Sequence, residues 1–186
     1  SVYFYDTREL DWNDRSQYCA FFQQYLKRQE GFVLPSEPAQ GGALQIREEG
    51  SNLIVENERV TLTFDRVRGY LSGYRLEGES LIEKGYPLNL WRAPVDNDRN
   101  TAKLWESELV FTAQNVVQSV SVEEEENCVV IECSQLCAPI VKEWKISYQT
   151  RYTIEPNGVV TIQMDGVPTG MLPECLPRIG LRFGLS

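Results

Sequence analysis

The chain has 186 residues, 42% of them hydrophobic and 24% charged, with a formal net charge of −9. That balance belongs to an ordinary globular protein, one large domain or a small one plus part of another, and it argues against nucleic-acid or anionic-membrane partners, which recruit Lys and Arg to phosphates. No histidine occurs, which excludes Ser-His-Asp and Cys-His triads, HExxH zinc sites and histidine general bases within these residues.

Taken in chain order, the pattern is almost entirely one of strands. Residues 1–30 hold two expected strands, the second at "CAFFQQYL". Residues 31–43 form a linker: "EGFVLPSEPAQGG" places Pro35, Pro38 and three glycines where few apolar residues remain. Residues 44–186 then alternate with a period of two. "NLIVEN" and "RVTLTFD" are expected strands, the latter with Val60, Leu62 and Phe64 on one face and Arg59, Thr61, Thr63 and Asp65 on the other. "GYLSGYRLEG" follows, then a polar corner at "LNLWRAPVDNDRN", and a turn or two of helix over residues 101–109. "VVQSVSVEE" and "CVVIECS" flank the acidic run Glu123–Glu126, read as a solvated turn. "WKISYQTRYTI" points Trp144, Ile146, Tyr148, Thr150, Tyr152 and Ile154 to one side; Asn157-Gly158 turns the chain into "VVTIQM", and "RIGLRFGL" is a last strand. The expected class is all-β, a β-sandwich. Two strands before a linker cannot form a sandwich alone, so they either pair onto the second part or are the tail of a truncated domain. With "LPRIGLRFGLS" stopping inside an expected strand, both ends read as cuts through a longer protein.

Three readings compete for the corner. Asp96, Asp98 and Asn100 at i, i+2 and i+4 match the first half of an EF-hand calcium loop, but Thr101 stands where Gly is needed and Ser107 where Glu is needed. As a glycosidase carboxylate pair, Asp96 and Asp98 are neighbours on one loop, badly placed to flank a bond from opposite sides. The third reading is structural: Arg92 clamps the carboxylate of Asp96 or Asp98, Pro94 fixes a turn, and Asp and Asn side chains bond nearby backbone N–H groups. Elsewhere, Cys19, Cys128, Cys133, Cys137 and Cys175 fit neither a disulfide framework nor a zinc site and read as reduced, half-buried thiols. No metal site is expected. Trp12, Trp91 and Trp105 are candidates for a sugar-stacking row in a free-standing carbohydrate-binding sandwich; a module that contacts other protein and no sugar is a further alternative.

"NLWRAPVDND" closely resembles the RAP-x-DND signature in the C-terminal region of family-two glycoside hydrolase β-galactosidases. The flanking order is similar as well. Residues 1–30 resemble the last strands of the immunoglobulin-like domain of such enzymes, and residues 44–186 the first part of their galactose-mutarotase-like super-sandwich. The resemblance implies a non-catalytic segment of an enzyme that hydrolyses terminal non-reducing β-D-galactose residues with retention. Both catalytic glutamates, and any magnesium or sodium, would belong to a (β/α)8 barrel outside these residues. That barrel is then the partner in the same chain, the β-galactoside is the parent's substrate, and the parent is a homo-oligomer. It implies that Asp96, Asn97, Asp98 and Asn100 shape the substrate entrance. Asn100 departs from the family's Gly; it tolerates left-handed backbone, so the turn is expected to survive with a stiffer hinge. Nothing in the chain resembles a signal peptide; cytoplasmic location is the expectation for a parent without one.

Overall fold

The computed structural model describes residues 2–5, 18–22 and 41–186. The chain divides into two compact units, residues 1–36 and 37–186. In the first, β1 (Val2–Tyr5) pairs antiparallel with β2 (Tyr18–Phe22), Val2 opposite Phe22. Trp12, the rest of "CAFFQQYL" and most of the expected linker lie outside the described residues.

The second unit is a sandwich of two antiparallel sheets. Six strands, in the order β12-β7-β6-β5-β4-β3, form one sheet; β11-β10-β9-β8 form the other. Their bounds are β3 (Gln45–Glu49), β4 (Asn52–Glu56), β5 (Val60–Asp65), β6 (Tyr70–Leu76), β7 (Glu79–Gly85), β8 (Gln114–Glu125), β9 (Cys128–Ala138), β10 (Lys145–Ile154), β11 (Val160–Thr169) and β12 (Phe183–Leu185). One helix, α1 (Thr101–Ser107), lies within the expected helical stretch.

Period-two alternation builds the core directly. Leu53, Val55, Leu62, Phe64 and Leu71 from the first sheet meet Val129, Ile131, Cys133, Tyr152 and Ile154 from the second. Phe64 stands edge-on to Tyr152, ring centroids 5.3 Å apart, a preferred geometry for paired quadrupoles. Gln135 reaches across from β9, its side-chain amide donating to the carbonyl of Gly69 at 3.0 Å. The face Trp144, Ile146, Tyr148, Thr150, Tyr152 and Ile154 is buried along its whole length.

Four expectations are corrected. Asp65 is buried, not on the polar face: its carboxylate folds back onto the N–H groups of Val67 and Arg68 in an Asx turn. Glu123, Glu124 and Glu125 are exposed but end strand β8, leaving only Glu126 in the turn. The β10–β11 turn uses left-handed backbone at Gly158 (φ +93°), while Asn157 contributes its side chain, accepting from the N–H of Val159 at 2.8 Å. Of the expected last strand only Phe183–Leu185 forms a strand, with Gly180 in an isolated bridge to Asn89. The thiols also differ among themselves: Cys133 and Cys137 are buried, and burial pushes both up to about 11, whereas Cys175 is exposed.

Candidate functional site

The corner Leu88–Asn100 lies over a second core cluster. Leu88, Leu90, Trp105, Val110, Cys137, Trp144, Ile146 and Tyr148 are buried together, with Trp91, Leu172 and Leu176 packed against them. Leu88 and Leu90 point inward on alternate positions, so Asn89 faces away and bridges to Gly180, N to O 2.9 Å. The Asn89 side chain also accepts from the N–H of Trp91 at 3.0 Å. Trp91 is thereby set edge-on to Trp105 and to Phe111, at 6.5 and 5.6 Å between centroids.

Arg92 leaves this aromatic bed with its guanidinium 5.4 Å from the Trp105 ring and closes on Asp98. Nη1 donates to Oδ2 at 2.5 Å and Nη2 to Oδ1 at 2.9 Å, a bidentate pair, while Nε donates to the carbonyl of Pro177 at 2.9 Å. A 3-10 turn over Asp96–Asp98 brings the Asp98 carboxylate back onto the N–H of Val95, 2.8 Å from Oδ2, as the third residue of a helical turn does in a capping box. Asp98 is buried. The Arg92 guanidinium, and after it the Val95 N–H, holds its carboxyl below the usual carboxylate range.

Asp96, Asn97 and Asn100 are exposed. The structure brings Arg92 to Asp98 and not to Asp96. Asn100 has φ −86° and ψ −38°, so it enters α1 as ordinary right-handed backbone, and the left-handed turn expected there is absent. The helix follows at once, and its first residue, Thr101, donates its hydroxyl to the Asp98 carbonyl at 3.1 Å.

Much of what holds the corner left no mark in the sequence. Its anchors are backbone carbonyls some 70 to 85 positions away: Trp105 Nε1 donates to Cys175 and Arg92 Nε to Pro177. A carbonyl is the same in every residue, so only the fold reveals such a partner. Trp105 is 2% exposed, which removes it from any sugar-stacking row; its indole is a structural tie.

What the corner can do chemically follows from its saturation. Both oxygens of Asp98 are engaged by charged or backbone donors, so it lacks the raised pKa of a general acid. Among the described residues, no group of three or more Asp, Glu or Cys side chains gathers as a metal site.

Residues 56–186 match the family model described as β-galactosidase small chain. The chain belongs to the β-galactosidase small chain family. The matched span contains the whole corner and both sheets from the end of β4 onward. Among individual relatives, a β-galactosidase of Actinobacillus pleuropneumoniae is 25% identical over 166 residues, covering 89% of this chain and 16% of that protein. A β-galactosidase of Priestia megaterium is 26% identical over 168 residues, 84% of this chain and 16% of its own length. One from Halalkalibacterium halodurans is 23% identical over 175 residues, 94% of this chain and 17% of that relative. The chain thus spans about a sixth of the curated relatives it matches.

Proposed function

We propose that this chain is a scaffold segment of a β-galactosidase, a parent that hydrolyses terminal non-reducing β-D-galactose residues with retention, and that it breaks no bond itself. Catalysis falls to a (β/α)8 barrel elsewhere in the parent. The corner at Arg92–Asp98 buttresses the substrate entrance, with exposed Asp96, Asn97 and Asn100 as the surface offered to it. The same unit contributes to packing within the parent and to its assembly as a homo-oligomer.

The observation that carries this reading is the saturated clamp. A retaining glycosidase needs two carboxylates about 5 Å apart, one of them able to hold a proton near neutral pH. Asp98 is driven the other way, and Asp96 shares its 3-10 turn. The donor set does not suit a cation either, because the two Asp98 oxygens already face a guanidinium. Magnesium or sodium, if the parent uses one, is held by the barrel. A clamp of this kind fixes loop geometry, and loops on a rigid scaffold are where binding surfaces are built.

The test is kinetic and uses the full-length parent carrying Asp98→Asn. Loss of an entrance support raises KM for a nitrophenyl β-galactoside by about fivefold and changes kcat by less than about twofold. A fall in kcat of about a thousandfold or more in a folded variant would place a reacting group in this chain and contradict the assignment.

A further inference from the structure

The outer face of the four-stranded sheet holds a trough of about 540 Å3. Two rows of side chains lie next to each other across it. One is Ser119, Ser134, Gln149 and Asp165, taken from β8, β9, β10 and β11; the other is Val116, Leu136, Ser147 and Val167. Ile146, Tyr148 and Thr150 point into the core, so both rows point out. The pairing slips between Val117 and Ser119, which leaves Gln118 as an extra, exposed residue on β8. Such a bulge re-aims a side chain, and Gln118 lines one side of the trough while Asp165 and Val167 line the other. Gln135 and Tyr148 line it too, although their side chains are buried on the opposite face. The trough therefore reaches down to the sheet backbone, because Ser134 and Ser147 are too small to cover it.

Much of the hydrogen-bonding capacity in the trough is unused. The hydroxyls of Ser134 and Ser147 and the amide of Gln118 have no partner among the described residues. Gln149 donates its amide nitrogen to Glu132 at 3.2 Å and keeps its oxygen free. Asp165 accepts from Gln163 through one oxygen, at 2.9 Å, and keeps the other. Asp165 is the one charged group in the two rows. Further charges begin a row away on either side, with exposed Lys145 at one margin and the Arg151–Glu132 pair, 2.6 Å apart, at the other.

These groups select the class of ligand. An anion would face the Asp165 carboxylate with no Lys or Arg in the lining to offset it. A divalent cation needs six or more oxygens and finds a single carboxylate. A wholly apolar molecule would strip water from amides and hydroxyls and return no hydrogen bond. A neutral sugar suits both rows. Its hydroxyls donate and accept, as the Gln118, Ser134, Gln149 and Asp165 row requires, and its ring C–H groups match the apolar row of Val116, Leu136 and Val167. Four strands spaced about 4.8 Å apart give the trough a length of about 14 Å, enough for more than one sugar ring, and its volume lies within the range of small-molecule sites. We infer that the trough lined by Gln118, Ser134, Ser147, Gln149, Asp165 and Val167 is a binding site for a neutral oligosaccharide. It shares no residue with the Arg92 corner and uses none of the tryptophans. It goes beyond the scaffold assignment and stands independently of it.

Lactose is the probe, titrated into the isotope-labelled 186-residue chain while backbone amide shifts are followed by NMR. A shallow site whose hydrogen bonds compete with water binds weakly, so saturation is expected with a Kd on the order of millimolar. The amides that move should be those of Gln118, Ser134, Ser147, Gln149, Asp165 and Val167, with those of Arg92 to Asn100 unchanged. Gln149→Ala and Asp165→Ala alter exposed side chains on the outer face, and each should weaken binding about three- to tenfold. Signals of the buried residues Leu53 and Ile131 that keep their positions show that the variants are folded. Shifts that fail to saturate would overturn the site, as would saturable shifts centred on Trp91 and Phe111. Wild-type affinity in both variants would overturn it as well, because the sugar then binds elsewhere.

Discussion

Arg92 spends four hydrogen bonds on holding one loop: two to Asp98 and one each to Ala93 and Pro177. Its side chain is one-third exposed and that of Asp98 only 12%, so the pair is partly screened by solvent and its worth lies as much in geometry as in charge. Arg92→Ala leaves a buried carboxylate with only the Val95 N–H, and is expected to lower the melting temperature by roughly 5 °C. The sign of the pH dependence follows from the depressed folded-state pKa of Asp98. The folded form binds fewer protons than the unfolded form, so the contribution is fully present above the ordinary aspartate value and is lost as pH falls through the folded value. Melting curves of the chain and of Asp98→Asn should therefore stay apart near neutral pH and converge in acid. A constant offset down to the lowest pH would remove the carboxylate from the account. The clamp itself was half legible from residue types: Arg92 and two nearby aspartates were visible, but the choice between them depended on a 3-10 turn that no side-chain pattern announces.

At the scale of elements, strands buried on one face were easy to read and the edges were not. β10 shows strict alternation, and β5 does so as far as Phe64, because one face is core and the other solvent. β3 escaped notice: it is an edge strand with a charged sequence, "QIREE", and four of its five residues are exposed. β7 was hidden by the turn before it, where Glu77 (φ +51°) and Gly78 (φ +83°) make a two-residue hairpin. Such turns favour Asn-Gly or Asp-Gly, and Glu-Gly is a weaker cue. The loop from Gly170 to Gly180 carried no cue at all, although it ties the corner down. Gly170 tests its role. Gly170→Ala adds a methyl group at positive φ against Trp144 and should destabilise the unit by about 1–3 kcal/mol in chemical denaturation. A neutral effect would mean that the loop is not pinned to residues 143–144.

For the whole molecule, the sandwich and the corner point in one direction. A sheet pair with a continuous apolar core supports a saturated polar loop at one end, while the family match covers residues 56–186 and the relatives extend far beyond the aligned span. The all-β class was accessible from periodicity because burial writes itself into alternation. The role proposed for the unit draws on the motif around Arg92 and not on periodicity, since scaffolding and catalytic loops use the same polar residues. The most direct test of the central claim is the turnover of a nitrophenyl β-galactoside by the 186-residue chain alone. The account predicts a rate indistinguishable from the buffer blank; turnover at enzyme-like rates that disappears in Asp98→Asn would contradict it.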